Sequence, residues 1–519
     1  MTGPLYLDLA HAARADLIRQ ILRSIGFAGP YGRGATTLEL QEGRGWSVFA
    51  TPGGHGLARF GATQQGPATV VLASELCNTS ALFPLFGDVS AVSLSGALDS
   101  KSILARRRGE PAILAMRGRN RESEVLALGF NLSDALTRIT EGNRPWGWGH
   151  LRVLLQAWFE HIDRAPRFYL SPWPRSAPPL LCSFDVETNV GQRSTGKRVW
   201  GVGTSARDLA QYSLLDRVQP LRMRRLALSR NRVADGDREF RSLRVTVDAR
   251  RAPRGCFPES LQVRQHQVQF MVARRRHVVE TDYGEFVAWV NRELPWATLF
   301  LSGVRSAESV EARWRGYHGF LHRHFSSASG AELAEEFHDA STRFFAAETV
   351  SRPLRAPGLI WSPTHRDLVG QFGFTSDHSV TEVNRLQPLA PFMGRGWAHM
   401  PVTANSLTVP DLDRVAAMAS ATNSYVSLYT HDAELIDETS RAELLRRMRA
   451  LESSGFAPTT THELEAWLAE RDEHEIHVHG DAVALRGKAT PGTAVAIRGR
   501  TPEWTVALQR GEPSLGAPD

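Results

Sequence analysis

The alternation of apolar and polar positions divides the chain into segments with different patterns. Residues 8–25 place apolar side chains at helical spacing, and a series of short apolar runs of strand length follows them. A helical pattern at 151–161 comes after the last run. Strands that alternate with helical segments predict an α/β layer domain over residues 1–170. The apolar runs lie at 46–50, 69–73, 89–94, 112–116 and 125–130.

A second pattern begins after the proline-rich stretch 171–179, which predicts a linker. The apolar run 180–184 leads directly into acidic residues and is typical of a buried strand. We assign residues 176–472 to a second domain, interrupted by an arginine-rich insert at about 190–280. Further strands are predicted at 297–301 and 425–429, and helices at 281–294, 331–347, 439–454 and 461–471.

The last segment, residues 473–519, contains short alternating runs that predict a small β appendage and a loose tail. These runs lie at 475–478, 483–486, 494–498 and 504–508.

Length and composition indicate a globular protein with more than one core. The chain has 519 residues, of which 42% are hydrophobic and 22% charged. A net charge of +6 permits an anionic partner but does not demand one. The arginine runs at 222–232 and 274–276 carry no nucleic-acid recognition motif, so a solvated surface is the favoured interpretation.

The cysteines and the N-terminus bear on the cellular compartment. Cys77, Cys182 and Cys256 lie far apart and form no CxxC pair, which argues against a disulfide framework and against a cysteine zinc site. The N-terminus lacks the basic region and the unbroken apolar core of a signal peptide. No stretch approaches the roughly 18 apolar residues of a membrane span. We therefore expect a cytoplasmic protein without a membrane span.

Four short motifs carry candidate chemistry. Asp185 and Glu187 follow the strand at 180–184, so both carboxylates would share one strand face. His318 and His322 are spaced i, i+4, which brings two metal ligands together on one helical face, or in a tight loop. The alternative for each motif is an ordinary surface position.

The other two motifs supply an arginine and a histidine. Arg355 precedes Ala356-Pro357-Gly358, and an arginine beside a rigid turn can brace a carboxylate. His431 ends the apolar strand Leu428-Tyr429-Thr430, where it could protonate a leaving amine. A loop arginine and a solvent-exposed histidine are the alternatives.

The order of these motifs resembles the polysaccharide deacetylases of the NodB-homology type, carbohydrate esterase family 4. That order is an acidic pair after a strand, His-x-x-x-His, Arg-x-Pro and Leu-x-x-His. The resemblance covers residues 180–200 and 285–470. It implies a distorted (β/α) barrel of seven strands, preceded by the α/β layer domain and followed by the β appendage. The implied activity is metal-dependent removal of an N-acyl group from an amino sugar or glycan.

The resemblance also implies a role for each motif residue. A divalent metal, most often zinc and otherwise cobalt, nickel or manganese, would be held by Glu187, His318 and His322. Asp185 would be the general base, Arg355 would orient it, and His431 would be the general acid.

Departures from the family pattern leave alternatives open. The acidic pair is Asp-x-Glu where adjacent aspartates are the commonest form, and His324 offers a different partner for His322. Trp361 and Trp397 could wall a sugar pocket or pack in the core. A catalytically inactive, glycan-binding protein on the same scaffold is the alternative function.

The N-terminal segment has its own, weaker likeness. Residues 48–56 and 124–131 resemble pieces of class I glutamine amidotransferase-like domains. Such domains need a nucleophilic cysteine on a glycine-flanked turn, and Cys77 has no glycine beside it. We therefore expect this domain to be non-catalytic.

Overall fold

The residues that the structure describes fall mainly into two stretches, 5–186 and 283–471, each with gaps, and into isolated strands elsewhere. The computed structural model describes residues 5–10, 12–27, 36–64, 68–73, 76, 82–85, 90–96, 98, 100–120, 122–141, 147–162, 167–170, 172–174, 177–186, 199–201, 225–232, 238–246, 267–275, 283–302, 314–319, 329–345, 349–356, 359, 363–379, 387–394, 396–407, 409, 411–431, 435, 438–471, 475–479, 482–486, 494–498, 505–507 and 515–516.

The N-terminal part consists of a sheet with helices on one face. Its strands are β1 (Leu5–Asp8), β2 (Thr36–Gly43), β3 (Trp46–Ala50), β4 (Ala58–Gln64), β5 (Ala68–Leu72), β6 (Leu82–Leu85), β7 (Ala91–Gly96), β8 (Ser100–Arg107), β9 (Ile113–Asn120) and β10 (Ser123–Leu128). Its helices are α1 (Ala15–Arg23), α2 (Leu132–Glu141) and α3 (Gly147–Ile162).

This sheet is mixed, in the order β1-β2-β3-β10-β9-β8-β5-β6, and β4 pairs separately with β7. Only β1 and β2 run parallel; the other neighbours are antiparallel. The predicted alternation of strands and helices is wrong here, because no α-helix separates β2 from β10 within the described residues. Central strands such as β10 are buried on both faces, by the helices on one side and by β4 and β7 on the other. Their unbroken apolar runs therefore look like those of a parallel sheet.

The second part of the chain contributes a curled sheet with its own helices. The strands from 167 to 275 are β11 (Arg167–Leu170), β12 (Pro179–Val186), β13 (Val199–Gly201), β14 (Arg225–Arg232), β15 (Arg238–Thr246) and β16 (Gln267–Arg275). The elements that follow are α4 (Tyr283–Glu293), β17 (Thr298–Ser302), β18 (Arg315–His318), α5 (Gly330–Asp339), β19 (Pro353–Arg355), α6 (Pro363–Val369), β20 (Ser376–Asp377), β21 (Phe392–Met393), β22 (Ala398–His399), β23 (Ala404–Asn405), α7 (Leu412–Ala421), β24 (Val426–His431), α8 (Glu438–Ser453), β25 (Ala457–Pro458) and α9 (Thr461–Arg471).

The three strands and four helices predicted for this segment are confirmed within a few residues, except at the end of one helix, whereas strands β13–β16 and β18–β23 and helices α6 and α7 were not predicted. The predicted helix at 331–347 is shorter, because α5 gives way to a π turn at Ala340–Phe344. Its start is fixed by Ser329, which forms a capping box with Glu332.

The curled sheet has the strand order β21-β22-β20-β19-β18-β17-β12-β24-β23, and β25 pairs with β12. All neighbours along this path are parallel except β21 and β22. The protein is thus an α/β protein with a mixed N-terminal sheet and a strongly curled, nine-strand, mostly parallel half-barrel. Parallel strands end at the same edge, so the residues at their C-terminal ends converge.

The two faces of the half-barrel differ in polarity. Leu299, Leu354 and Leu428 belong to a core cluster that also contains buried residues of the surrounding helices, such as Leu333 and Leu444. Because side chains alternate along a strand, the neighbours of these leucines point to the other, inner face. That inner face is where polar side chains at the strand ends come together.

The N-terminal sheet and the half-barrel are packed against each other. Trp148 of α3 stacks on Phe392 of β21 with ring centroids 4.8 Å apart. Arg152, which is fully buried, donates to the carbonyl oxygens of Ser24 at 2.9 Å and Thr422 at 3.1 Å. Ser24 and Thr422 are the C-cap residues of α1 and α7, so Arg152 places its positive charge at the C-terminal ends of both helices, where a cation is favoured.

The remaining strands form three small sheets. Within the insert, β13-β16-β15-β14 are antiparallel neighbours. The predicted C-terminal β runs are confirmed as strands, and the strand Ala494–Arg498 pairs with β11 as well as with the strand Thr505–Ala507 of its own segment. Among the described helices, none has the length and apolar content needed to cross a bilayer. The last strands are β26 (Glu475–His479), β27 (Ala482–Arg486), β28 (Ala494–Arg498), β29 (Thr505–Ala507) and β30 (Leu515–Gly516).

Candidate active site

Asp185 and Arg355 form a buried ion pair on the inner face of the half-barrel. Asp185 lies near the end of β12 and is 2% exposed, whereas Arg355 ends β19 and is fully buried. The Nη1 of Arg355 donates to Oδ1 of Asp185, and its Nη2 donates to Oγ of Ser183 at 2.8 Å. Ser183 and Asp185 are two residues apart on one strand face, so a single planar guanidinium contacts both. The structure therefore brings Arg355 into contact with Asp185, and a role of this contact in orienting a general base stays a prediction.

Aromatic rings hold the guanidinium of Arg355 in this direction. Its Cζ lies 4.0 Å from the ring centroid of Phe300 and 5.8 Å from that of Tyr429. Phe300 has room for this position because residue 316 is glycine. A Cβ on Gly316 would lie 2.6 Å from Cδ1 of Phe300. Gly316 thus leaves the space in which Phe300 packs against the guanidinium of Arg355 and keeps it facing Asp185.

His318 stands beside the same carboxylate, at the end of β18. Its position on a strand corrects the helical interpretation of His318 and His322, and leaves the loop interpretation. Its Nδ1 lies 2.9 Å from the carbonyl oxygen of Gly319, which can only accept, so Nδ1 carries the proton. Burial lowers the pKa of His318, although the charge of Asp185 acts in the opposite direction. The ring is therefore neutral at neutral pH, and its Nε2, 4.0 Å from Oδ2 of Asp185, bears a lone pair.

His431 is the fourth residue of the site and lies at the end of β24, the neighbour of β12. In the parallel pairing of β12 and β24, His431 lies directly opposite Asp185. Its ring makes an edge contact with Tyr429, with centroids 5.8 Å apart, and its charge lowers the pKa of His318. The structure thus brings together Asp185, His318, Arg355 and His431.

Other predicted residues lie outside the described residues or elsewhere in the fold. Within the described part of the chain, no three His, Cys, Asp and Glu side chains form a group that could hold a metal. Trp397 is buried in the core cluster behind the sheet, as its core-packing alternative required. Burial raises the pKa of the Cys182 thiol to about 12, which disfavours a nucleophilic thiolate. The predicted residues that fall outside the described ranges are Glu187, His322, His324, Trp361 and Cys77.

His378 is a residue near the site that the sequence did not reveal. It follows β20, its ring centroid is 5.1 Å from that of Phe300, and its Nε2 is 3.2 Å from Oγ of Ser376. Ser376 in turn donates to Oε1 of Glu465 on α9. Burial, assisted by the charge of Arg355, lowers the pKa of His378 to about 3. No local spacing pattern marks such a residue, because its role depends on which strands become neighbours.

A second buried group lies on the helix-facing side of the sheet. Nε2 of His365 on α6 is 2.8 Å from Oδ2 of Asp377. His399 lies opposite Asp377 in the pairing of β20 and β22 and stacks on Phe392, with centroids 4.5 Å apart. Burial lowers the pKa of His399 to about 3, although the Asp377 charge opposes this shift.

The depressed pKa of His399 predicts a pH dependence of stability. An unfolded histidine takes up a proton below pH 6.5, whereas folded His399 does so only near pH 3. Between these values the unfolded state binds the extra proton, so stability falls as the pH falls, by about 1.4 kcal/mol per pH unit for one group. The variant His399→Phe should flatten the urea-unfolding profile in that window. The exposed His338, changed to Gln, should leave the slope unaltered; an unchanged slope in His399→Phe would contradict the assignment.

The comparisons with known proteins add no relative. Comparing the chain with known protein families, with curated proteins and with solved structures gave no match. The interpretation of the site therefore rests on its geometry and on the chemistry of its residues.

Proposed function

We propose that the half-barrel is a divalent-metal-dependent hydrolase that removes an N-acyl group from an amino sugar or glycan. Within this proposal the curled sheet corresponds to the distorted (β/α) barrel of the polysaccharide deacetylase type, although it has nine strands where the resemblance implied seven. The N-terminal sheet is a non-catalytic layer, and the C-terminal strands form a β appendage.

One observation carries the proposal: a buried carboxylate held by an arginine from one side faces a neutral imidazole from the other. Arg355 binds Oδ1 of Asp185, so Oδ2 is the oxygen directed toward His318. A carboxylate so placed, at the C-terminal edge of parallel strands, suits a general base that takes a proton from an attacking water.

The donor chemistry of His318 fits a metal ligand. A neutral imidazole with Nδ1 bound to a backbone carbonyl and a lone pair on Nε2 is the usual form of a metal-binding histidine. Glu187 and His322 supply the two remaining donors of the proposal, a carboxylate and an imidazole, which zinc accepts. When bound, the metal lowers the pKa of a water molecule and polarises the acyl carbonyl.

His431 supplies the second proton transfer. It lies across from Asp185 on the adjacent strand, so one group can accept a proton while the other delivers one to the departing amine. Two groups of different chemical type on neighbouring strands meet the need of amide hydrolysis for a base and an acid.

The metal content of the purified protein tests the proposal. We expect about one transition metal per chain, the stoichiometry of one catalytic site, and its loss in the double variant His318→Ala/His322→Ala. His338→Ala, an exposed histidine on α5, serves as the matched control and should keep the metal. Elemental mass spectrometry measures all three.

The possible results separate the alternatives. Metal lost in His324→Ala but kept in His322→Ala would move the second imidazole ligand to His324. No metal in the wild type, even after reconstitution with zinc or cobalt, would contradict the hydrolase proposal and favour a glycan-binding protein on this scaffold.

A further inference from the structure

The side chain of Ser379 continues the hydrogen bonding between β19 and β20 beyond the point where the two backbones separate. The backbone N–H of His378 donates to the carbonyl oxygen of Leu354 at 2.8 Å. One step further, the N–H of Ala356 donates at 2.7 Å to the side-chain Oγ of Ser379. Ser379 is fully buried. The residue whose N–H it binds is the one that follows Arg355.

Asp377 fixes Ser379 from the opposite face of the sheet. Its Oδ1 accepts from the backbone N–H of Ser379 at 2.8 Å, which is an Asx turn, and its Oδ2 lies 2.8 Å from Nε2 of His365. Asp377 pairs in register with Leu354, a helix-facing residue, so its carboxylate is on the other side of the sheet from Asp185. A chain of hydrogen bonds therefore runs from α6, through the sheet edge, to the backbone beside Arg355.

We infer that Ser379 is a positioning residue that sets the direction of Arg355 toward Asp185, with Asp377 holding Ser379 in place. The inference rests on the proposed function, in which Arg355 orients the general base. The Ala356 N–H belongs to the peptide group that follows Arg355, so its bond to Ser379 restrains the backbone from which the guanidinium extends. Groups that orient a site residue in this way typically change activity by about 10-fold to 100-fold when removed.

A kinetic double-mutant cycle tests whether Ser379 acts through Arg355. Ser379→Ala should lower kcat on an acetylated amino sugar about 10-fold and leave KM unchanged. In an Arg355→Lys background, where the guanidinium fork is already lost, the same change should have less than about a twofold effect. Ser420→Ala, on the exposed side of α7, is the matched control and should leave kcat unaltered. An unaltered kcat in Ser379→Ala, or a full 10-fold loss in both backgrounds, would overturn the inference.

A second measurement separates this inference from the proposed function. The wild type, Ser379→Ala, Arg355→Lys and the double variant are unfolded in urea. The coupling between Ser379 and Arg355 is the difference between the double variant's loss of stability and the sum of the two single losses. If the wild type hydrolyses no acylated amino sugar, the proposed function fails, and non-additive stabilities still support the link between the two residues. Additive stabilities would overturn it. Should Ser379→Ala not fold, Ser379→Cys, whose sulfur is only a weak acceptor for the Ala356 N–H, carries the same cycle.

Discussion

Replacing Asp185 with asparagine is expected to lower kcat for removal of the acyl group by about 10³-fold, within the range for a general base. Asparagine has nearly the shape of aspartate and retains an oxygen for the bond from Arg355, but it cannot take up a proton. The metal should stay bound, because the proposal assigns its binding to Glu187, His318 and His322. Steady-state kinetics on an acetylated amino sugar and elemental analysis of the same sample measure both effects.

The loss of activity must be separated from a loss of folded protein. Asp185→Asn leaves the buried guanidinium of Arg355 without its counter-charge, and breaking such a pair typically costs about 3–5 kcal/mol. Circular dichroism and the urea midpoint therefore accompany the kinetics. The control is Asp367→Asn, whose carboxylate on α6 is 60% exposed and pairs with Arg366. Wild-type kcat in a folded Asp185→Asn protein would remove Asp185 as the base.

Three strands and four helices of the half-barrel could be predicted because they carry strong local signals. The apolar run at 180–184 became β12, and the helix predicted at 461–471 matches α9 residue for residue. The resemblance to the deacetylase family also implied that Arg355 lies beside Asp185, and the structure places the two side chains in contact. The predicted elements need only the period of the pattern, whereas this contact needs the family resemblance.

The N-terminal sheet shows where local patterns mislead. Strand β10 is buried along almost its whole length because helices cover one face and the β4–β7 pair covers the other. An unbroken apolar run then carries no sign of whether its neighbours are parallel or antiparallel. The i, i+4 spacing of His318 and His322 suggested a shared helical face. Such spacing brings two side chains together on one face only if the backbone is helical. His318 ends a strand.

The residues that were missed are polar groups whose partners are distant in sequence. Asp377 meets His365 twelve residues away on α6, and Glu465 meets Ser376 across 89 positions. A lone buried polar residue looks like a surface residue in the sequence, because only the packing of α6 and α9 against the sheet supplies its partner. Composition and periodicity cannot predict that packing.

Replacing Gly149 with alanine is expected to destabilise the protein by about 3 kcal/mol or more, the upper part of the range for overpacking a core. Gly149 lies in α3, where alanine would ordinarily be the better helix former by about 1 kcal/mol. The packing reverses that preference. A Cβ at this position would lie 2.6 Å from the carbonyl carbon of Pro388 and 3.2 Å from Cα of Leu389. Both are backbone atoms, which cannot rotate away as the end of a side chain can.

The control for Gly149→Ala is Gly56→Ala, since a Cβ on Gly56 meets no atom within 4 Å. Its free energy of unfolding should change by less than about 0.5 kcal/mol. Equal urea midpoints for the two variants would contradict the close packing of α3 on the segment that leads to β21. That segment matters for the whole molecule, because Trp148 stacks on Phe392 and Phe392 stacks on His399 of β22. A clash at Gly149 therefore separates the N-terminal sheet from the edge of the half-barrel, and both should unfold at the lower urea concentration together.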